Sequence, residues 1–457
     1  MFKITIMQMI QRIVITGSLL FALAACSTKE IPDPNNPSVA SVSKNATEGQ
    51  LQTLVYGLEN ASKGYVFTAA TAFGEFGRDV WYFWRTDARY NQFWLGQEGR
   101  VPNSTFWGVA NAYDAPYRAI KQANLLINAV QNTNAVTADQ KKIYIGFAKT
   151  IQGYQFLVPA NSQYQNGIRV DVADENNPGK FVSYDSALTV IKKILDDGYD
   201  SLKNGAGALP FKLTSGYNGF NTAAGIAQVN RALAARVAVY RKDWPGALDA
   251  LSKSFYNLTG DLNNGPAHVF SGSPDVFNPF YFIRDAEPGT MVVVHPSLVK
   301  DALPGDTRVA KKFYKRRTAI TNTQGVIALS ADYQDNRWTN NTNPVPFIRN
   351  EELVLIYAEA NVQLNNFPEA VKAINSIRKG AGLDNYVGEL SNAGLITEIL
   401  FQRRYSLWYE PGFHRWVDLR RYNRLNEIPV DLDKGAAFKQ LETPLNELNW
   451  DEYIKNH

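Results

Sequence analysis

The sequence predicts a mainly α-helical protein in which paired helices form a scaffold and long loop-rich insertions separate the pairs. Apolar residues recur at helical spacing along one stripe, formed by Ile143, Phe147, Ile151 and Tyr154. Similar stripes run through 117–125 and 188–195, whereas strand-like alternation is sparse and is seen mainly at 291–294. A hydrophobic fraction of 45% with 20% charged residues excludes a disordered chain.

The first 25 residues predict a secretory signal peptide. Two basic residues precede an apolar run from 13 to 23, and small residues follow that run. The run is about half as long as the ~20 residues that a membrane-spanning helix needs. We therefore expect residues 1–25 to be removed, with translation starting at Met1, Met7 or Met9.

A lipid anchor is predicted at Cys26, the only cysteine of the chain. Leu23-Ala24-Ala25-Cys26 looks like a bacterial lipobox, in which cleavage leaves the cysteine to carry several acyl chains, and several chains anchor a protein stably. The alternative is an ordinary signal peptide followed by a chance cysteine. Residues 26–46 contain a Pro/Asn stretch that favours extended backbone, so we interpret them as a flexible tether to a single domain over 47–457.

An internal repeat indicates how the helices are paired. Residues 235–251 and 358–374 align at one offset, which matches Trp244-Pro245 with Phe367-Pro368 and small residues with small residues. Proline in the first turn of a helix and small residues at a helix crossing suit close helix packing. The units resemble tetratricopeptide units, but their spacing is far above the period of about 34 residues in a regular array. The alternative is a coincidence between two amphipathic helix pairs.

Four segments carry a more specific pattern. They are the lipobox at 24–26, residues 107–124, residues 232–250 and a long segment over 347–421. The long segment includes Phe347-Ile348-Arg349-Asn350-Glu351-Glu352, Tyr357-Ala358-Glu359-Ala360-Asn361 and Asp418-Leu419-Arg420-Arg421. Together these segments resemble the SusD/RagB family of Bacteroidetes outer-membrane lipoproteins, and the resemblance covers nearly the whole chain.

This resemblance implies a SusD-like fold, in which tetratricopeptide-like helix pairs form a right-handed superhelical scaffold and insertions build the ligand site. It also implies a lipid-anchored protein on the outer membrane, facing the cell exterior. The implied partner is a SusC-type TonB-dependent outer-membrane transporter, to which such proteins deliver oligosaccharides or, in some members, peptides. We therefore expect a non-catalytic glycan-binding lipoprotein of polysaccharide utilisation and nutrient uptake. The alternatives are an envelope scaffold, a peptide-binding lipoprotein and, less favoured, a surface glycoside hydrolase.

The sequence contains no motif for catalysis, a metal or a cofactor. Its four histidines have no metal-ligand spacing, and the exported body has no cysteine for a thiol nucleophile. We expect His414 to be a packed, hydrogen-bonded residue and not a base. Two carboxylates could still cleave a glycoside, because such pairs have no fixed spacing. The net charge of +4 is scattered along the chain, so nucleic acid is not expected as a partner.

Residues 81–94 are the first candidate for sugar contact, since seven of these fourteen residues are aromatic. Sugars need flat apolar faces framed by polar groups. The candidate binding residues here are Trp81, Trp84, Arg85, Asp87, Tyr90, Asn91 and Trp94. The alternative is a buried helix whose aromatic side chains fill the core.

The second candidate is a polar loop over 333–338, with Tyr333, Asn336 and Trp338 as its binding residues. Binding residues concentrate in loops held by a rigid scaffold. The alternative is a solvated loop with its tryptophan packed on the body. The other motif tryptophans are assigned to the core; they are Trp107, Trp244, Trp408 and Trp416.

Overall fold

The computed structural model describes residues 42–102, 107–174, 176–205, 207–273 and 275–456. Residues 45–457 form one compact unit, which carries every element described below. The predicted signal peptide and Cys26, and the tether up to residue 41, lie outside the described residues.

The described part of 45–457 contains fourteen α-helices. In chain order they are α1 Glu48–Lys63, α2 Val66–Phe76, α3 Trp107–Gln131, α4 Ala138–Gln163, α5 Tyr184–Leu202, α6 Ala223–Tyr240, α7 Trp244–Ser252, α8 Pro296–Lys300, α9 Thr307–Lys312, α10 Asn350–Gln363, α11 Phe367–Gly380, α12 Asn392–Ser406, α13 His414–Arg421 and α14 Leu445–Asn456.

Consecutive helices pack as pairs, which confirms the predicted helical scaffold. Helices α3, α4 and α5 pack in sequence, and the predicted repeat units are the pairs α6–α7 and α10–α11. The second helix of each pair begins with proline in its first turn, at Pro245 and Pro368. Helix α10 packs against both helices of the first pair, so the two repeat units contact each other although insertions separate them in sequence.

Small residues allow the helices to approach closely. A Cβ atom at Gly146 of α4 would lie within 3 Å of Leu202 and of the Gly198 carbonyl on α5. Gly153 meets Leu195 in the same way about two turns further along. The repeat alanines Ala247 and Ala370 are fully buried at their crossings, as expected.

Buried ion pairs join helix α10 to helix α6 and to helix α13. Arg236 of α6 contacts Glu352 of α10 at 2.6 Å, and Arg421 of α13 contacts Glu359 of α10 at 2.7 Å. Each of these four side chains is almost inaccessible to solvent. Because an unpaired charge is costly in such surroundings, these residues of the 347–421 segment act in packing.

The described residues also form eight strands, which are β1 Val80–Trp84, β2 Ile168–Arg169, β3 Phe181–Val182, β4 Ala267–His268, β5 Thr290–Val294, β6 Phe313–Asn322, β7 Leu329–Asp335 and β8 Val345–Pro346. Four of them form an antiparallel sheet in the order β1-β5-β7-β6. Its register pairs Trp81 with Val293 and Val293 with Gln334. Two-stranded sheets pair β2 with β3 and β4 with β8.

The sheet corrects two sequence-based interpretations. Residues 81–94 are not one buried helix, because 80–84 form strand β1 and only Tyr90–Trp94 form a short π-helical turn. The predicted polar loop at 333–338 begins inside strand β7, which ends at Asp335. Strand β5 confirms the short alternation at 291–294.

The core assignments of the tryptophans are confirmed for Trp408 and Trp416, which are fully buried. Trp244 is only half-buried, because it lies at the exposed start of α7. The side chain of Trp107 lies outside the described residues. Across the described ranges, no helix combines the length and the apolar character that crossing a membrane requires.

Candidate functional site

An aromatic cavity of about 250 Å³ lies between helix α2 and strand β1. Five aromatic residues and two threonines line it. They are Phe67, Tyr82, Trp84, Tyr90, Trp94, Thr68 and Thr71. No acidic or basic side chain belongs to this lining among the described residues. The cavity therefore offers ring faces and hydroxyl groups to a ligand.

The alternation of strand β1 decides which of its aromatic residues reach the cavity. Trp81 and Phe83 point to one face of the sheet, stack on each other at 6.2 Å, and pack into a cluster with Met291 and Val293. Tyr82 and Trp84 point to the other face and line the cavity. Trp81 is only 2% exposed, so its ring serves the core of the sheet.

The π-helical turn after the strand supplies the remaining two rings. Trp84 and Tyr90 stack almost in parallel, with ring centroids 4.3 Å apart and an interplanar angle of 11°. Tyr90 meets Trp94 edge to face at 4.9 Å, and Tyr82 lies close to both. Tyr90 and Trp94 are buried within this cluster, whereas Trp84 is half-exposed at its rim. Trp84 is thus the predicted ring that a ligand can reach most directly.

A buried ion pair contacts strand β1 through Trp81, on the face of the strand opposite the cavity. Arg78 donates from Nε and Nη2 to the Asp433 carboxylate at 2.7 and 3.1 Å, and both side chains are inaccessible to solvent. The same carboxylate accepts a hydrogen bond from Trp81 Nε1 at 3.2 Å. Glu75 accepts the backbone N–H of Tyr82 at 2.6 Å, and burial raises the pKa of Glu75 well above its ordinary value. These contacts fix the register at which Tyr82 and Trp84 face the cavity.

The predicted polar residues of 85–91 lie around the cluster in different roles. Arg85 forms a surface ion pair with Glu287 at 3.3 Å. Asp87 accepts hydrogen bonds from the Arg89 guanidinium, which lower the pKa of Asp87 below its ordinary value. Asn91 is fully buried and donates to the Gln324 carbonyl at 2.8 Å, so it holds a loop in place and does not face solvent.

The second predicted segment meets the first through a row of aromatic rings. Trp338 is half-exposed, its indole nitrogen donates to Asp335 at 3.1 Å, and its ring lies 6.0 Å from Phe280. Phe280 contacts Phe67 at 5.3 Å, and Phe67 contacts Tyr82 at 6.2 Å. The structure therefore brings Trp84 and Trp338 to the two ends of one aromatic row.

The other two residues of the second segment are held by neighbouring backbone. Tyr333 lies in strand β7 opposite Lys315 and is half-exposed. Asn336 donates to the carbonyl groups of Ala310 and Lys311 and accepts a hydrogen bond from Arg284. Asn336 therefore anchors the turn that follows β7.

Sequence reasoning missed the loop over 275–289. It contributes Phe280 and Phe282, which contact Phe67, and it exposes Phe277 by 54% and Ile283 by 64%. The run from 277 to 282 contains four aromatic residues, and this density was the signal that could have identified it. Phe280 and Phe282 thus extend the aromatic row beyond Phe67.

The described residues contain no group of three or more His, Cys, Asp or Glu side chains placed to hold a metal ion. His414 is buried and accepts a hydrogen bond from Arg403 Nη2 at 3.2 Å, which confirms the packed residue that we predicted. Burial, followed by the nearby Arg403 charge, lowers the pKa of His414 well below its ordinary value.

Comparisons with known proteins agree with this architecture. Residues 306–456 match the SusD family. A SusD superfamily protein from Bacteroides vulgatus superposes with a TM-score of 0.66 at 15% identity, covering 88% of this chain and 97% of the other. Surface glycan-binding protein A from Bacteroides uniformis gives a TM-score of 0.69 at 14% identity, with 89% and 98% covered. The protein of that name from Bacteroides thetaiotaomicron, in complex with laminarihexaose, gives 0.68 at 14% identity, with the same coverage.

Comparison with curated protein sequences found no match. The structural likeness extends over most of the chain, and the sequence match falls on the segment that holds the C-terminal helix pairs. Residues 306–456 therefore match the SusD family in sequence, and the chain has the mainly α-helical fold of the SusD-like structures.

Proposed function

We propose that this protein binds an oligosaccharide at the aromatic cavity and at the half-exposed rings of Trp84 and Trp338, which lie at the two ends of the aromatic row. The observation that carries the proposal is the cavity between α2 and β1, whose described lining is made of aromatic rings and threonine hydroxyls. The apolar face of a sugar ring packs on an aromatic side chain, while its hydroxyl groups need hydrogen-bond partners. Thr68 places a hydroxyl group beside the rings, whereas the buried Thr71 hydroxyl is already bonded to Tyr409 at 2.7 Å.

The lining favours binding over hydrolysis. Glycoside cleavage requires two carboxyl groups on either side of the scissile bond. The described residues that line the cavity include none, and the nearby Asp87 carboxylate is paired with Arg89 at 2.6 Å. We therefore infer a binding protein without chemistry of its own.

The proposal includes the route by which the sugar is used. We infer that residues 1–25 direct export, that Cys26 carries the lipid anchor and that residues 26–46 are the tether of a single domain over 47–457. The protein then presents the aromatic row at the cell surface and delivers its ligand to a SusC-type TonB-dependent transporter. The lipobox and the SusD-like fold support this assignment.

Calorimetric titration with a panel of oligosaccharides tests the binding site, with laminarihexaose included because the B. thetaiotaomicron protein binds it. Trp84→Ala and Trp338→Ala each remove a half-exposed ring, and we expect each to weaken binding about tenfold, which corresponds to ~1.4 kcal/mol. Trp450→Ala is the control, since this half-exposed tryptophan lies on α14 and contacts Tyr453.

Thermal unfolding of each variant separates a loss of binding from a loss of folding. Unchanged affinity in both Trp84→Ala and Trp338→Ala would refute the assignment of the site. Release of reducing ends from a bound polysaccharide would favour the hydrolase alternative. Binding of peptides without any binding of glycans would favour the peptide-binding or scaffold alternatives.

A further inference from the structure

A second and larger cavity lies against helix α1. Its volume is about 550 Å³, which is within the range of small-ligand sites. Helix α1 and helix α4 form its walls, and the segments around 214–217 and 267–269 complete it. None of its lining residues also lines the aromatic cavity.

The charges of this cavity do not balance. Lys63 Nζ lies 2.7 Å from the Asp275 carboxylate and also donates to the Val269 carbonyl at 2.8 Å, so the lysine charge is already paired. Glu59 accepts hydrogen bonds from the hydroxyl and the backbone N–H of Thr214. Among the described residues, Glu59 forms no ion pair within 4 Å. Glu59 therefore leaves the cavity with one uncompensated negative charge.

Burial raises the pKa of Glu59, which indicates that its surroundings do not fully compensate the loss of water around the carboxylate. His268 adds no positive charge, because burial lowers its pKa to about 3. A positively charged group that enters the cavity could therefore pair with the Glu59 carboxylate.

Aromatic rings line the same cavity as Glu59. Tyr154 stacks on Phe347 at 5.1 Å, and the Phe347 ring also lies 5.0 Å from the His268 ring. Tyr217 approaches Phe347 from another side at 6.1 Å, and Tyr56 stands at the rim with 43% of its surface exposed. Aromatic faces attract cations through the negative potential of the ring.

Two buried polar atoms of the lining residues also lack partners. Within the part of the chain that the structure describes, neither the Tyr154 hydroxyl nor His268 Nε2 forms a hydrogen bond, although both residues are more than nine-tenths buried. Buried polar groups are nearly always hydrogen-bonded, and those that are not need an explanation. Both residues belong to the cavity lining, so the cavity lies beside polar groups that the described protein leaves without partners.

We propose that this second cavity binds the ammonium group of a small ligand, with the Glu59 carboxylate as its counter-ion and the surrounding aromatic rings as its walls. An anion is disfavoured because the only basic side chain in the described lining is paired with Asp275. The ammonium group comes from an amino sugar or from the amine end of a short peptide. The proposal does not depend on the aromatic row.

Calorimetry at neutral pH tests the proposal with two matched ligand pairs. The first pair is the glucosamine dimer and its N-acetylated form, and the second is triglycine amide and its N-acetylated form. Acetylation removes the positive charge and keeps the rest of each molecule. We expect at least one free amine to bind and its acetylated form to bind far more weakly, and the pair that binds identifies the source of the ammonium group.

Glu59→Gln removes the charge at nearly constant size and keeps an oxygen for Thr214. We expect it to weaken amine binding by about thirtyfold or more, as for other buried charge pairs that lose one partner. Glu48→Gln is the matched control, because Glu48 lies exposed at the start of the same helix.

If Glu59→Gln does not fold, Tyr56→Leu at the rim replaces it as the test, with a smaller loss of amine binding expected. No binding of either amine, equal binding of acetylated forms, or full binding by a folded Glu59→Gln or Tyr56→Leu variant would overturn the proposal.

Discussion

Replacing Asp433 by asparagine tests whether the buried ion pair behind strand β1 holds the aromatic site in place. The Asp433 carboxylate accepts two hydrogen bonds from Arg78, one from Trp81 and one from the backbone of Gly435. Asparagine has almost the same size, but it carries no charge and presents an NH₂ group where the carboxylate presents an acceptor. The Arg78 guanidinium would then remain buried without a counter-ion.

The expected loss of stability follows from this geometry. Breaking a fully buried ion pair by removing one partner costs about 3–5 kcal/mol. Arg78 keeps its bonds to the carbonyl groups of Glu75 and Leu95, so the guanidinium is not left without partners. The Trp81 indole N–H loses an acceptor, which adds about 1 kcal/mol. We therefore expect Asp433→Asn to lower the free energy of unfolding by about 4 kcal/mol.

Urea unfolding followed by tryptophan fluorescence measures this change, with Asp431→Asn as the control. Asp431 lies two residues away and is exposed, so its substitution should change the free energy of unfolding by less than about 0.5 kcal/mol. The double variant Arg78→Met with Asp433→Asn should lose less than the sum of the two single variants, because it leaves no unpaired charge. Equal, small losses for Asp433→Asn and Asp431→Asn would refute the supporting role of the pair.

Two further predictions concern pH and the membrane. Burial raises the pKa of Asp79 from its ordinary value to about 7, so the native protein holds this proton at pH values where the unfolded chain releases it. Stability should therefore fall as pH rises from about 4 to about 7, and Asp79→Asn should reduce that fall; parallel pH profiles of wild type and variant in urea unfolding would contradict this. Cys26→Ser should release the protein from outer-membrane fractions and abolish co-purification of a large transporter from native membranes. Retention of the variant in those fractions would contradict lipid anchoring at this residue.

The helical scaffold could be predicted because its signal is local. Ile143, Phe147 and Ile151 recur at the period of a helix and are buried on one side of α4. The repeat could also be predicted from local sequence, because Pro245 and Pro368 lie at equivalent positions in the first turns of their helices. Such features depend on residues close in sequence, and tertiary packing strengthens them.

The sheet could not be predicted in the same way. Strand β1 carries large aromatic residues on both faces, since Trp81 packs into the sheet cluster while Tyr82 lines the cavity. A strand that is apolar on both faces has no alternation between apolar and polar residues. Strand β6 is interrupted by an irregularity between Lys315 and Ile320, which disturbs its period of two.

The same physics limited the prediction of the site. The aromatic density of 81–94 predicted the position of the cavity. Side chains alternate between the two faces of strand β1, and this alternation places Trp84 at the rim of the cavity and Trp81 in the core. The position of the Phe280 ring depends on contacts between its long loop and residues distant in sequence. One of these contacts is with Tyr409, at 5.3 Å between ring centroids. No periodicity within that loop reports such a contact.

The division of roles along the chain explains why part of the sequence matches the SusD family while the ligand cannot be identified from the sequence. The described residues that line the aromatic cavity all lie between 67 and 94, whereas the match to the SusD family begins at residue 306. The matched region supports the cavity from outside, since Tyr409 bonds to the Thr71 hydroxyl at 2.7 Å and Asp433 holds Trp81. Substitutions in 67–94 can therefore alter the ligand while the supporting contacts, and the sequence pattern that records them, stay the same.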